Sequence, residues 1–351
     1  MNTPRVPTFA TVALVLFAAP SGAQAFAAPS FARPTWTSAQ SFTTIVGVRE
    51  IADGSVLVAD YAEPAVYLMA PGGQSARQIG RKGSGPREYL GPWRLIALPN
   101  DSTFLIDREG GRYLVFSPTG DIVETTPFPE SVKLVSQYIR GADRAGRLYF
   151  QMRYIAADPT GPTTTPMLRW DRQSSRFDSV GVVRMPAASL VSSTGAPVIG
   201  IMPFTAADAW TVAPDGRIAM ITVSPYRIVW LAPGGRRLIG ATIPFTPVPV
   251  TDADKQAREP KGPPFVQTYP KTKPPFTNDA VVLDDHSRLW IGRSFARGAT
   301  TREWDVVDPS GKPLGVVHLA ADKRIVAVTA RFVYVLWRDQ DDVQWLQAYA
   351  R

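Results

Sequence analysis

The side chains best suited to chemistry are arginines and aspartates that recur at one point of a repeating pattern. Short runs of β-branched, aliphatic and aromatic residues end in Asp60-Tyr61, Asp107-Arg108, Met152-Arg153, Gly292-Arg293 and Trp337-Arg338. Arg81, Lys82 and Arg87 add charge in a glycine-rich stretch, IGRKGSGPREY (Ile79 to Tyr89). Guanidinium forks receive carboxylate, phosphate or sulfate in bidentate geometry. Asp60, Tyr61, Arg81, Lys82, Arg87, Asp107, Arg108, Arg153, Arg293 and Arg338 are therefore the candidate ligand-binding residues, and an anion is the ligand they suit. Asp60 and Asp107 carry two further readings. They are carboxylates that a calcium-type site would use, or they cap the turns that follow them.

Other chemistry is narrowed by what the chain lacks. Cysteine is absent, which removes disulfides, thiolate metal sites and a cysteine nucleophile. His286 and His318 are the two histidines, too few for a multi-histidine metal centre. His286 follows Asp284-Asp285 in a turn, and His318 sits in the alternating stretch GVVHLA; both read as ordinary turn and strand residues. No G-x-S-x-G nucleophile elbow is present. The glycine-rich stretch lacks the Lys-Ser/Thr ending of a phosphate-binding loop. A structural role suits it better: Gly83 and Gly85 allow a tight path, Pro86 stiffens it, and Glu88 accepts backbone N–H groups. No metal and no cofactor are expected.

The first residues read MNTPRVPTFATVALVLFAAPSGAQAFAAPS. Arg5, the apolar run Phe9 to Ala19 and the small-x-small Ala23-Gln24-Ala25 have the layout of a secretory signal peptide, residues 1–25. The run is too short to span a bilayer, and no second candidate span follows. The expectation is an exported, periplasmic or extracellular chain with no transmembrane span after signal removal, and a monomer. The formal net charge is +8, from 38 basic and 30 acidic residues. An exported basic protein meets anionic glycans, lipid headgroups, acidic proteins or peptides rather than nucleic acid.

The elements that position these residues are repeated. SVLVAD, TFLID, RLYFQM, RIAMIT, RLWIGR and FVYVLW share one alternating pattern. Most follow a turn signal: Asp53-Gly54, Asn100-Asp101, Ala145-Gly146, Asp215-Gly216 or Asp285-His286. Each precedes a second strand, often closed by a Pro-Gly turn as in AVYLMAPGG and RIVWLAPGG. Six units of three or four short antiparallel strands predict an all-β, six-bladed β-propeller over residues 26–351. One small sheet cannot bury both faces, so the units must pack around an axis. The last unit lacks an outer strand, and FARPTWTSAQ (Phe31 to Gln40) is the N-terminal stretch expected to close it. Trp93, Trp170, Trp230, Trp290 and Trp337 are expected in the blade cores.

The pattern DGSVLVAD…VYLMAPGG…QIGRKGSGPREY resembles that of bacterial exported six-bladed propellers related to the NHL and TolB-like groups. Arg87 stands where that pattern often has Gly. The resemblance implies the fold over the whole mature chain. It implies no single activity, because such folds carry binders and enzymes alike.

With strands lettered A to D outward from the axis, the B–C and D–A connections share one rim, and the tight A–B and C–D turns share the other. The long segments Tyr154 to Thr165, Pro186 to Ala206 and Thr246 to Asn278 all fall on the first rim, as does the glycine-rich loop. Long loops in a compact fold tend to carry function. In the last of these segments, Thr251 with Asp252 and Asp254 predicts a short capped helix. Its proline runs and Phe265, Tyr269 and Phe276 suit a lid, a docking arm or a spacer. The sequence thus points to a non-catalytic binding or scaffold propeller that uses this rim for an anionic peptide, a glycan or an envelope protein. The alternative is a metal-assisted lactonase, hydrolase or lyase.

Overall fold

The computed structural model describes residues 26–152, 164–185, 188–191, 198–201, 203–258 and 269–351. The expected signal peptide and Arg153 lie outside the described residues, as do Phe265 and much of the three long segments.

Alternation along each strand builds the fold. In strand Val56–Asp60, Val56 and Val58 face one side of the sheet, and Leu57 and Ala59 face the other. All four are fully buried, so both faces must be covered by protein. The strand Thr103–Asp107 repeats this, sending Phe104 and Ile106 one way and Leu105 the other.

Six four-stranded antiparallel sheets result. Blade 1 runs Ile45–Glu50, Val56–Asp60, Ala65–Met69, Ala76–Gln78. Blade 2 runs Pro92–Ala97, Thr103–Asp107, Arg112–Phe116, Ile122–Pro127. Blade 3 runs Ile139–Ala142, Leu148–Gln151, Thr164–Asp171, Arg176–Arg184. Blade 4 runs Ala209–Val212, Ile218–Val223, Tyr226–Leu231, Arg237–Thr242. Blade 5 runs Phe276–Leu283, Leu289–Arg293, Thr301–Val307, Pro313–Ala320. Blade 6 runs Lys323–Val328, Phe332–Arg338, Gln344–Ala350 and, on its outer edge, Trp36–Thr37. The first strand of every blade touches the first strands of its two neighbours, so these six inner strands form a closed ring about the axis. Apolar clusters fill each of the six junctions between blades. The fold is thus an all-β, six-bladed propeller, with only short helical turns among the described residues.

The junction of blades 6 and 1 has extra ties. Trp36 pairs with Ala348 and Thr37 with Gln347. Trp36 also lies edge-on to Tyr334 at 5.9 Å and fills the space where Gly73, at φ 74°, would carry a Cβ. Gln344 Oε1 accepts the Ile45 N–H at 2.8 Å. On the opposite rim, Glu50 of blade 1 accepts hydrogen bonds from Thr329 and Tyr334 of blade 6 and is paired with Arg331.

The turn chemistry follows the sequence with one shift. Asn100 and Asp101 adopt φ of 55° and 57°, and Gly54, Gly146 and Gly216 are also left-handed. In blade 5 the left-handed residue is Ser287, at φ 58°, rather than His286. The Ser287 N–H donates to Asp284 O as the Gly54 N–H donates to Ile51 O, so the local chain is in register one residue later than the Asp-Gly spacing suggests.

Three of the five expected core tryptophans, Trp170, Trp230 and Trp290, are buried. Trp337 is half-buried and donates to Asp322, and Trp93 is half-buried at the loop rim. Trp304 and Trp210 are further buried tryptophans. Phe276 is fully buried in the first strand of blade 5, so the irregular segment expected to reach Asn278 ends before it. Among the described residues no helix is long and apolar enough to cross a membrane.

Candidate functional site

The rim formed by the B–C and D–A connections receives the strand ends singled out in the sequence. Asp60 and Asp107 end the second strands of blades 1 and 2 at equivalent positions, and both are buried. Asp60 accepts the N–H groups of Thr43 (2.7 Å), Thr44 (3.0 Å) and Ala62 (3.1 Å), with Glu63 at 3.4 Å. Asp107 accepts those of Leu90 (3.0 Å), Gly91 (2.8 Å) and Gly110 (3.3 Å), and pairs with Arg112 Nε at 2.8 Å. A carboxylate has about four lone-pair positions. Both groups therefore spend their acceptor capacity tying the incoming chain to the turn beyond the strand.

Arg112, which the sequence reading passed over, organises the glycine-rich loop. Its Nη1 donates to Ser84 O (2.7 Å) and Gly85 O (3.3 Å), and its Nη2 to Gly83 O (2.9 Å) and Glu88 O (2.7 Å). Glu88 accepts the Gly85 N–H at 2.7 Å and pairs with Arg81 Nε at 2.6 Å. The Gly85 N–H first, then Arg81, hold the Glu88 carboxyl below the usual range. A Cβ on Gly83 would collide with the Glu88 carboxylate, which accounts for glycine there. Lys82 and Arg87 are exposed on this loop.

Tyr61 and Arg108 come together at the junction of blades 1 and 2. The Arg108 guanidinium lies 5.0 Å from the Trp93 ring centroid and 5.9 Å from that of Tyr61. Tyr61 and Trp93 meet edge to face at 5.2 Å. The Tyr61 hydroxyl donates to Glu109 at 2.7 Å, and this bond raises its pKa. Glu109 is 3.8 Å from Arg108 Nε, a loose pair between exposed groups. Trp93 occupies the irregular step in the first strand of blade 2, between Pro92 and Arg94 in the pairing register. Such bulges re-aim side chains.

Arg293 and Arg338 are committed elsewhere. Arg293 makes a two-point pair with Asp305 (2.9 and 2.6 Å) and a third bond to Glu303 (2.7 Å). The Asp305 hydrogen bonds are the main cause of its raised pKa. A cleft of about 230 Å3 lies beside it, with Phe245, Pro275, Phe295, Thr301 and Glu303 in its wall. Arg338 pairs with Asp342 at 2.9 Å on the surface.

The described parts of the long arm between blades 4 and 5 dock on the same rim. Thr251 caps the helix Asp252–Gln256, and Asp254 returns a bond to the Thr251 N–H, completing a capping box. Lys273 is buried, pairs with Asp254 at 2.8 Å and donates to Phe295 O at 3.0 Å, fixing the arm to blade 5. Burial alone would raise the Asp254 pKa; bonds from Lys273 and Thr251 outweigh it and hold the group at about 2. Lys273 and Arg258 also sit over the ring of Phe204, in the connection between blades 3 and 4.

Among the described residues one trio, Asp284, Asp285 and His286, has carboxylate and imidazole atoms close enough to share a cation. It lies on the tight-turn rim. Arg288 and Arg351 already pair with Asp284, and Arg351 pairs with Asp285. His318 is exposed on the outer strand of blade 5.

No family model matches the chain, and no curated protein matches it. Solved structures do. A DUF4221-family protein of Bacteroides vulgatus is 7% identical, with a TM-score of 0.51 over 90% of this chain and 97% of that one. A putative exported protein of Bacteroides fragilis is 12% identical, with a TM-score of 0.50 over 91% and 93%. The virginiamycin B lyase of Staphylococcus aureus is 8% identical, with a TM-score of 0.46 over 88% and 95%. The first two share the fold of this chain, and at these identities they show the fold alone.

Proposed function

We propose that the chain is an exported binding or scaffold propeller of the NHL and TolB-like kind, without a catalytic role of its own. Its ligand is an anionic peptide, an anionic glycan or an acidic envelope protein, held on the rim of the B–C and D–A loops. The observation that carries this reading is Arg108 lying across Trp93 and Tyr61 at that rim. A guanidinium on an aromatic platform offers a charge and a flat apolar surface together. Lys82 and Arg87 extend the basic surface from the adjacent loop. The alternative, a calcium-assisted lactonase or lyase, has less support, because Asp60 and Asp107 are saturated by backbone donors.

Titration calorimetry of residues 26–351 against an oligoglutamate peptide and a sulfated oligosaccharide tests the reading. Binding is expected for one of them, weakening as salt rises. Arg108→Glu should lower the affinity at least tenfold with an unchanged melting temperature. The reading fails if neither probe binds. It also fails if millimolar calcium raises the melting temperature and a lactone panel shows turnover.

A further inference from the structure

The inner strands of blades 2 and 3 carry two arginines with no counter-charge among the described residues. Arg94 is the third residue of Pro92–Ala97, and Arg140 is the second of Ile139–Ala142. These strands touch each other in the ring around the axis. Both residues lie toward the end where the strands begin, which is the loop rim. The Nε atoms of both are buried without an acceptor, and so is Nε1 of Trp93, the residue before Arg94. Neither arginine has an ion pair or hydrogen bond among the described residues. Of the other arginines with a buried unpaired Nε, Arg172 reaches Glu124, Arg184 pairs with Asp208 and Arg302 stacks on Phe295, while Arg227, outside this inner ring, has no ion pair among the described residues.

Two like charges on adjacent inner strands without a carboxylate partner are costly in a folded protein. Burial lowers the Arg94 pKa first, and the Arg140 charge lowers it further, to about 10. Burial lowers that of Arg140 as well. A buried donor without an acceptor calls for an explanation. Three such donors on adjacent inner strands, two of them charged, share a simple one.

We propose that Arg94, Arg140 and Trp93 Nε1 form a site for a divalent oxyanion, phosphate or sulfate, at the axial mouth between blades 2 and 3. The anion is a free ion or the terminal group of a larger ligand. Two positive charges match its two negative ones, and the indole N–H supplies a directed third contact. The inference rests on the same ligand-facing rim as the proposed function and sharpens its ligand class.

The test is the melting temperature of residues 26–351 in phosphate or sulfate, against sodium chloride at equal ionic strength. Wild type is expected to rise saturably by roughly 2–5 °C at millimolar anion. The double variant Arg94→Met, Arg140→Met is expected to melt no lower than wild type in anion-free buffer, since it loses a repulsion. It should show no saturable shift, which separates site binding from the general stabilisation that sulfate gives. Glucose 6-phosphate distinguishes the two sources: a shift equal to that of phosphate supports a terminal group, and a shift with inorganic phosphate alone supports a free ion. The site is overturned if wild type shows no saturable shift or if the double variant keeps it. It is also overturned if the double variant melts several degrees lower without anion, which marks the arginines as structural. If phosphate fails while an acidic peptide still binds through Arg108, this inference falls and the rim reading stands. If phosphate binds while neither peptide nor glycan does, the peptide-and-glycan reading falls and this one stands.

Discussion

Arg49 and Arg94 occupy inner strands of neighbouring blades, yet their surroundings differ completely. Arg49 lies toward the tight-turn rim. It pairs with Asp101 at 2.6 Å and donates to Asp101 O and Thr103. Arg94 lies toward the loop rim, has no ion pair among the described residues, and has Arg140 on the adjacent inner strand. The tight-turn rim repeats the first arrangement: Asp143 holds Arg147 and Tyr149, Asp284 holds Arg288 and Arg351, and Glu50 holds Arg331. On that rim each of these arginines has a carboxylate partner. The loop rim pairs Arg112 and Lys273 where they hold loops in place, while Arg94 and Arg140 have no ion pair among the described residues.

The strongest test of this division is Asp107, the buried tie of the loop rim. Asp107→Ala removes the acceptor for three backbone N–H groups and leaves the Arg112 guanidinium without its carboxylate. Such a loss should cost about 3–5 kcal/mol, measured by urea denaturation. A loss under about 1 kcal/mol would mean that Asp107 is not a structural tie, and would return it to the candidate ligand set.

Next comes Asp101→Ala, which leaves Arg49 without a carboxylate, as Arg94 is, though still bonded to the residue 101 carbonyl and Thr103. A cost of about 2–3 kcal/mol is expected, because the Ala52 N–H also donates to this carboxylate at 2.7 Å. Arg94→Met should cost less than about 0.5 kcal/mol, or stabilise. Equal losses from the two variants would erase the distinction between the rims.

Much of this was legible in the sequence, and the failures have two causes. The alternating runs marked the second, third and fourth strands, and Asn100-Asp101 and the Asp-Gly pairs marked turns whose left-handed residues appear as read. The inner strands were not singled out. Pro92–Ala97 carries Trp93 at a bulge and Arg94 where an apolar residue would continue the alternation, so its period is broken by the residues that make it interesting. Isoleucine-arginine-glycine in Ile139–Ala142 hides a strand in the same way. An arginine interrupting a short apolar run just after a D–A loop was the available signal. Arg112 was missed because its role depends on carbonyls from residues 83–88, brought to it by the fold. Arg293 was read as open because Asp305 and Glu303 reach it from the adjacent strand.

A smaller effect concerns the arm, which connects the two kinds of charge. Its Asp254 is depressed in the folded state to about 2. A depressed carboxylate stabilises the fold above its unfolded pKa of about 4, and that contribution is lost as pH falls through the folded value. The arm should therefore loosen between about pH 4 and 2, with the propeller itself retained at the upper end of that window. Hydrogen exchange at residues 248–258 and 271–273, corrected for intrinsic rates, reads this directly. Lys273→Met should weaken the pH dependence, since the Thr251 bonds remain, and Asp254→Asn should remove it; retention of it in Asp254→Asn would assign the transition to another group.

The smallest expected effect is at Arg338, which shares its strand-end position with Arg293 and differs from Arg108 in having no aromatic ring beneath it among the described residues. Its side chain is 48% exposed, and its Asp342 partner is 78% exposed. An exposed pair of this kind contributes about 0–1 kcal/mol and is screened by salt. Arg338→Gln should change stability by less than about 0.5 kcal/mol. It should also leave peptide, glycan and phosphate binding unchanged, whereas Arg108→Glu weakens the first two. If Arg338→Gln weakens binding as much as Arg108→Glu, recognition is spread around the whole basic rim, and the platform of Tyr61 and Trp93 has no special part in it.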